Sequence, residues 1–251
     1  MEKIILIETS TALCSVALAE NGTVTAYRES SAPKAHASLT AVFIQEMLQE
    51  RGLTIADCDA ICVSMGPGSY TGLRVGVSTA KGLCFGSGKS PLAVGTLDTL
   101  VAQASTVIPS EVEESPYRFI IPMIDARRME VYAAVFGTDG SESTPDGASP
   151  VAGTSTAYIQ LTETAPAIID ETSFAEYLEQ GPVLFIGDGA GKCADVIKHP
   201  NAHFCQCHPN AAAMLQPALE AYRKRDFKDV AYFEPFYLKE FVATVSKKKL
   251  F

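Results

Sequence analysis

The chain reads as an α/β protein with two strand-rich halves, and three observations predict this. Lys3 to Thr9 is a continuous apolar run rich in isoleucine, followed by Asn21-Gly22, the strongest short hairpin signal. A second apolar run, Ala60 to Met65, passes through a glycine-rich loop into a helical pattern. A fresh strand pair then opens at Phe119, beyond a polar, proline-marked stretch.

The elements follow in order. Lys3–Thr9 has the composition of a buried strand, and Cys14–Ala19 pairs with Thr23–Arg28 across Asn21-Gly22. Ser38 is expected to cap a helix over Leu39–Glu50, with Gly52 as its stop. Ala60–Met65 is a strand, Leu73–Phe85 a helix, Pro91–Val94 a strand and Thr96–Ala104 a helix. Val107-Ile108-Pro109-Ser110 with Glu111, Glu113 and Glu114 marks the best boundary between halves. Phe119–Ile124 and Glu130–Phe136 then form strands around the turn Asp125-Ala126-Arg127-Arg128, whose arginines are expected to brace the two halves. Thr138–Pro150 reads as a surface loop. Val183–Ile186 is a strand, Gly187-Asp188-Gly189 a turn and Ala190–Ile197 a helix. Cys205 and Cys207 fit an alternating strand, and a last helix spans Asn210–Lys224, with Pro217 kinking it or sitting near its first turn.

The 251 residues suffice for a sizeable core, and 47% hydrophobic with 20% charged content is that of a globular protein. No run reaches transmembrane length and no signal peptide is evident, so a cytoplasmic location is expected. Seven cysteines without framework spacing read as reduced thiols. A net charge of −9 argues against extended nucleic-acid binding by this chain alone. Residues 221–251 carry eight Lys/Arg against four Asp/Glu, and Lys247-Lys248-Lys249 reads as a solvated tail.

The loop Gly66-Pro67-Gly68-Ser69-Tyr70-Thr71-Gly72-Leu73-Arg74 holds a backbone that few residues other than glycine adopt, and Ser69 and Thr71 are good helix caps. Amides at such a helix start suit an oxygen ligand, and Glu8-Thr9-Ser10 at the end of the first strand are candidate phosphate or nucleotide residues. Several other motifs fail. Gly86-Ser87-Gly88-Lys89-Ser90 lacks the P-loop spacing and lies between helix and strand rather than strand and helix. Ser69 lacks the flanking glycines of a nucleophile elbow. His199, His203, Cys205, Cys207 and His208 lack knuckle spacing, and no metal is expected there.

Two helices ask for a partner. The apolar residues of 39–50 spread over roughly 200° of the helical wheel, wider than one core stripe needs. The second helix is thin, with Gly76, Ser78, Thr79, Ala80 and Gly82. A protein interface is therefore expected at Leu39, Val42, Phe43 and Met47 on the first and at Leu73, Gly76, Val77, Ala80 and Cys84 on the second.

Residues 5–11 (Ile-Leu-Ile-Glu-Thr-Ser-Thr), Gly66 to Gly76, Asp125-Ala126-Arg127-Arg128 with Glu130-Val131-Tyr132, and Pro235-Phe236-Tyr237-Leu238-Lys239 together resemble the TsaB (YeaZ) family. Lys239 stands where that family's closing motif has Arg. The resemblance implies an actin/hexokinase/Hsp70-like (ASKHA) fold of two related α/β halves, each a mixed sheet flanked by helices. The halves would be 1–107 and 108–251, with the last helix packing back toward the first. It further implies a non-catalytic scaffold that pairs through its N-terminal helices with TsaD, joined by TsaE, in forming N6-threonylcarbamoyladenosine next to the tRNA anticodon. ATP and a divalent metal would then belong to the partner subunits, with no cofactor on this chain. tRNA would be met only through the complex. Apart from the resemblance, the apolar faces of the two helices could pair with themselves, which allows a weak homodimer of the chain alone. Two departures from the catalytic relative support this reading. Its His-x-x-x-His metal pair is reduced here to His36 with Thr40 four residues on, and Glu8 stands where the fold's phosphate sites use Asp. The alternative is an independent actin-like ATPase or small-molecule kinase, with the glycine loop and Glu8-Thr9-Ser10 as its site.

Overall fold

The computed structural model describes residues 2–106, 115–138 and 158–238. The opening strands β1 (Lys3–Glu8), β2 (Cys14–Glu20) and β3 (Thr23–Ser30) form an antiparallel meander, and β4 (Ala60–Gly66) and β5 (Pro91–Gly95) add in parallel. The sheet order is β3-β2-β1-β4-β5. Helices α1 (Ala35–Glu50), α2 (Tyr70–Ser87) and α3 (Thr96–Gln103) connect these strands. The second sheet has β6 (Phe119–Asp125), β7 (Glu130–Ala133), β8 (Phe136–Gly137), β9 (Ile159–Gln160) and β10 (Ala165–Ile168). After the short α4 (Ala175–Leu178) come β11 (Val183–Gly187), α5 (Ala190–Ala194), β12 (Ala202–Gln206) and α6 (Leu215–Arg223). The main path of this sheet is β10-β7-β6-β11-β12, with β8 and β9 attached beside β6.

The unbroken apolar run of β1 has a direct cause. Ile5 and Ile7 face one side of the sheet, where Ile44, Met47, Val77, Ala80 and Cys84 of α1 and α2 pack on them. Ile4 and Leu6 face the other, against Ala218 and Leu219 of α6 and the preceding Ala211 and Met214. A strand covered on both faces cannot alternate with polar residues. Residues 211–222 thus pack on the first sheet, although they follow the second in sequence.

Several predicted boundaries move. α1 begins at Ala35 behind Lys34 in a left-handed conformation, so Ser38 is not its cap. Ser38 lies one turn inside and its hydroxyl donates to the Lys34 carbonyl at 3.0 Å. α2 begins at Tyr70 rather than Leu73, because Ser69 caps it by accepting the Gly72 amide at 3.3 Å. Gly88, at φ 68°, ends it, so 86–90 is a helix stop as its polarity required. The predicted strand 130–136 is two strands, since Glu130–Ala133 pairs with β10 while Phe136–Gly137 turns to pair with β9. α5 and α6 are shorter than predicted, and Pro217 sits in the first turn of α6, where its missing amide costs little. β9, β10 and α4 were not predicted. The linker residues 107–114, most of the loop 138–150 and the Lys247–Lys249 cluster lie outside the described residues.

Candidate functional site

The glycine loop is pressed onto the end of β1. Ser69 donates its amide to the Ser10 carbonyl at 2.6 Å, and Leu73 donates to the Ser69 carbonyl at 2.9 Å to start the helix. A Cβ on Gly68 would lie 2.4 Å from the Ser10 carbonyl oxygen, and one on Gly72 only 2.1 Å from that of Thr9. A Cβ on Gly76 would meet the Thr9 hydroxyl at 2.2 Å. Each distance is far inside a van der Waals contact, so Gly68 and Gly72 serve backbone-to-backbone packing at the end of β1, while Gly76 makes room for the Thr9 side chain. Gly66, by contrast, needs glycine for its φ of 109°. The seam that sequence reading offered to a phosphate has no room for a methyl group.

The polar residues beneath the loop are sealed in. Glu8, Thr9 and Ser10 are fully buried. One Glu8 carboxylate oxygen accepts the Ser10 amide at 2.7 Å, and Ser64 Oγ lies 2.9 Å from Thr96 Oγ1 across the neighbouring strand ends. Burial raises the Glu8 carboxyl above its ordinary range, with Ser10 and Ser64 pulling the other way. Glu8 Oε2 and the hydroxyls of Thr9, Ser10 and Thr11 are buried and make no hydrogen bond of ordinary geometry. Tyr70 and Arg74 sit at the rim, the Arg74 Nη1 donating to the Tyr70 hydroxyl at 3.0 Å.

The predicted interface divides. Leu73, Gly76, Val77, Ala80 and Cys84 of α2 and Met47 of α1 are buried against the chain's own sheet, so the surface stripe expected there is a core stripe. Their bulk and spacing suit either environment, and only the position of the sheet decides. Val42 is 41% exposed, and Leu39 and Phe43 are half-buried. The outward face of α2 carries Ser78, Gly82 and Phe85, the last 82% exposed. Gly82 lies about 180° around the helix from Leu73, and a Cβ built there meets nothing within 4 Å. Sequence reading treated Phe85 only as a helix terminus. The signal was the reverse wheel, since Ser78, Gly82 and Gly86 share one face with a phenylalanine at its edge.

The remaining candidates find ordinary structural places. His199 accepts the Asn201 amide at its Nδ1 at 3.1 Å, and His203 packs edge-on against Tyr117 at 5.3 Å. His208 Nδ1 is 3.9 Å from an Asp188 carboxylate oxygen. Burial pushes the Cys207 thiol up to about 12, which suits a packing residue rather than a reactive one. Among the described residues, no group of three or more His, Cys, Asp or Glu could hold a metal ion. Arg127 and Arg128 are exposed, each at positive φ, and no ion pair joins either to the first half among the described residues. Their hairpin is held instead by Lys192, whose Nζ lies 2.5 Å from an Asp125 oxygen and donates to the carbonyls of Arg128 and Glu130 at 2.8 and 2.7 Å. On α1, Thr40 donates its hydroxyl to the His36 carbonyl at 2.6 Å, so the place of a second imidazole is taken by a helix-internal bond.

The family model described as TsaD, tRNA N6-adenosine threonylcarbamoyltransferase, matches residues 29–247. The chain belongs to this family. Its relatives include the Escherichia coli tRNA threonylcarbamoyladenosine biosynthesis protein TsaB, 34% identical over 137 residues, which are 55% of this chain and 56% of that one. The Haemophilus influenzae TsaB is 36% identical over 129 residues, 51% of each chain. The matched segment spans about half the length of these curated relatives. A Pseudomonas aeruginosa structure described by its similarity to the peptidase YeaZ superposes with a TM-score of 0.76 at 24% identity, covering 95% of this chain and all of that one. The two-sheet architecture is therefore that of this YeaZ-like structure. No helix among the described residues is long and apolar enough to cross a membrane.

Proposed function

We propose that this chain is a non-catalytic scaffold subunit for N6-threonylcarbamoyladenosine formation in tRNA. It binds a TsaD-type subunit through the outward face of α1 and α2, and a TsaE-type ATPase joins the complex. ATP and a divalent metal act in those partners. The observation that carries the reading is Gly82, a glycine inside an 18-residue helix with open space where its side chain would be. Such a glycine costs about 1 kcal/mol relative to alanine. No contact among the described residues requires it, whereas the close approach of a second helix would. The Phe85 ring, 82% exposed, lies within one turn of Gly82 as an apolar anchor, and Val42 adds exposed apolar surface on α1.

Two variants test the reading by co-purification with the TsaD-type subunit. Gly82→Trp and Phe85→Glu are expected to abolish the complex while circular dichroism and melting temperature stay those of the parent, because both side chains point into solvent. Undiminished complex formation by both would refute the interface. Gly76 and Ala80 do not serve this test, since both lie in the core. The closed seam at Gly68 and Gly72 favours the scaffold over an independent ATPase or kinase. Calorimetry with ATP and magnesium on the isolated chain is expected to give no binding heat, and micromolar binding with turnover would reverse that choice.

A further inference from the structure

After α6 the chain crosses the flank of α2 and the back of the glycine loop. Phe227 bridges Leu92 at the outer edge of β5. Val230 and Phe233 join the core that α1 and α2 share with the sheet. The Phe236 amide donates to the Met65 carbonyl at 2.7 Å, directly before the loop, and the Tyr237 ring lies 4.9 Å from that of Tyr70 on the first turn of α2. A Cβ on Gly66 would lie 2.8 Å from the Phe236 carbonyl oxygen, so the segment rests on the loop backbone itself.

One side chain of α2 ties the helix to this segment. Lys81 donates from Nζ to the carbonyls of Ala231 and Phe233, both at 3.1 Å. The segment has no helix or strand of its own, so its carbonyls need partners from elsewhere, and an ammonium with three donors can serve two of them at once. Lys81 is one residue from Gly82. The seam it closes opens outward as a cleft of 710 Å³ lined by Lys81, Gly82, Phe85, Ser90, Asp229 and Val230. Tyr232, 84% exposed, follows those lining residues in the chain.

We propose that residues 226–238 form a latch that fixes the pose of α2 and so presents its outward face to the partner, with Lys81 as a positioning residue. The inference rests on the partner reading above. Close helix packing at Gly82 tolerates little rotation of α2, because the gap between two helix axes is set by the few side chains at the contact. The buried stripe of α2 holds its depth on the sheet, while the latch holds it at two separated points, its first turn at Tyr70 through Tyr237 and its second half at Lys81 through two carbonyls.

The test uses the full chain with hydrogen exchange by mass spectrometry and affinity for the TsaD-type subunit. Lys81→Met keeps the apolar stem and removes the donors, Lys81→Arg keeps donors, and Tyr237→Ser loosens the far end. Lys81→Met and Tyr237→Ser are expected to speed exchange in both 226–238 and 70–87, leave 35–50 unchanged, and weaken partner binding at least tenfold. Lys81→Arg restores both readouts. Faster exchange in 226–238 with 70–87 still protected, or unchanged affinity with the latch released, would overturn the proposal. If the parent chain itself binds no TsaD-type subunit, the partner reading fails instead. The exchange coupling between 226–238 and 70–87 then decides the latch alone, and its absence overturns it.

Discussion

Gly72→Ala is expected to destabilise the chain by on the order of 3 kcal/mol, at the upper end of the cost of overfilling a packed interior. The added carbon would sit 2.1 Å from the Thr9 carbonyl oxygen, a backbone atom of a fully buried residue at the end of a central strand. It can move only if α2 lifts from the sheet or β1 bends, and either strips contacts from Val77, Ala80 and Cys84. Gly82→Ala, ten residues along the same helix, is expected to have the opposite sign. With nothing within 4 Å, it should stabilise by about 1 kcal/mol through helix propensity alone. Urea midpoints of the two variants and the parent measure this directly. Equal midpoints would mean that the seam between loop and strand is looser than these distances allow.

Gly76 faces a side-chain obstacle rather than a main-chain one. Its added carbon would meet the Thr9 hydroxyl at 2.2 Å, and the next Thr9 atom, its Cβ, only at 3.4 Å. Thr9→Ala should therefore rescue most of the loss caused by Gly76→Ala, because it removes the one clashing atom. The same partner change should do nothing for Gly72→Ala, where the obstacle is a main-chain carbonyl. A double-mutant cycle separates the two cases, with coupling expected only at Gly76.

How much of this was legible beforehand depends on what each residue reports. The first-sheet strands were legible because β1 and β4 are covered on both faces and so read as apolar runs, while Asn21 and Gly22 at φ 53° and 75° declare their own hairpin. Ser69 was legible as a cap because a hydroxyl at that position satisfies an amide locally. β10 was not, since its Ala165-Pro166-Ala167-Ile168 sits at the sheet edge with Ile168 78% exposed and has no alternation to read. The site was legible as a set of residues but not as a geometry. Gly68, Gly72 and Gly76 announce a close backbone approach, yet their sequence does not say whether a ligand or a strand end makes it. Likewise Leu73, Val77, Ala80 and Cys84 form an apolar stripe that fits a partner or a core equally well. The latch was invisible for a further reason: Lys81 acts on carbonyls 150 and 152 residues away, and no local pattern encodes such a contact.

Glu8 should make the fold lose stability as pH rises, the reverse of the usual salt-bridged carboxylate. Its carboxyl is raised from 4.5 by complete burial, so between that value and its folded value the unfolded chain releases a proton that the folded chain keeps. Fewer protons bound in the unfolded state give a negative slope, about 1.4 kcal/mol per pH unit for one group, with the contribution intact below pH 4.5 and lost as pH rises through the folded value. Asp98, raised by burial from 3.8 to about 6, adds a slope of the same sign that is spent by about pH 6. Asp188, raised by burial as well, acts in the same direction. The difference between the parent and Glu8→Gln isolates the Glu8 part, because the amide cannot ionise and keeps a carbonyl for the Ser10 amide. Its NH₂ also offers donors to a neighbourhood of buried hydroxyls that lack partners. Glu8→Gln is therefore expected to match the parent near pH 4 and to exceed it progressively above. Unfolding free energies from urea titrations between pH 4 and 8 would show this, and parallel curves for the two proteins would mean that Glu8 is ionised and solvated in the folded chain. Burial works against the charged form of the Glu8 carboxyl, which makes it a poor seat for a cation and suits a strand end whose task is to seat α2.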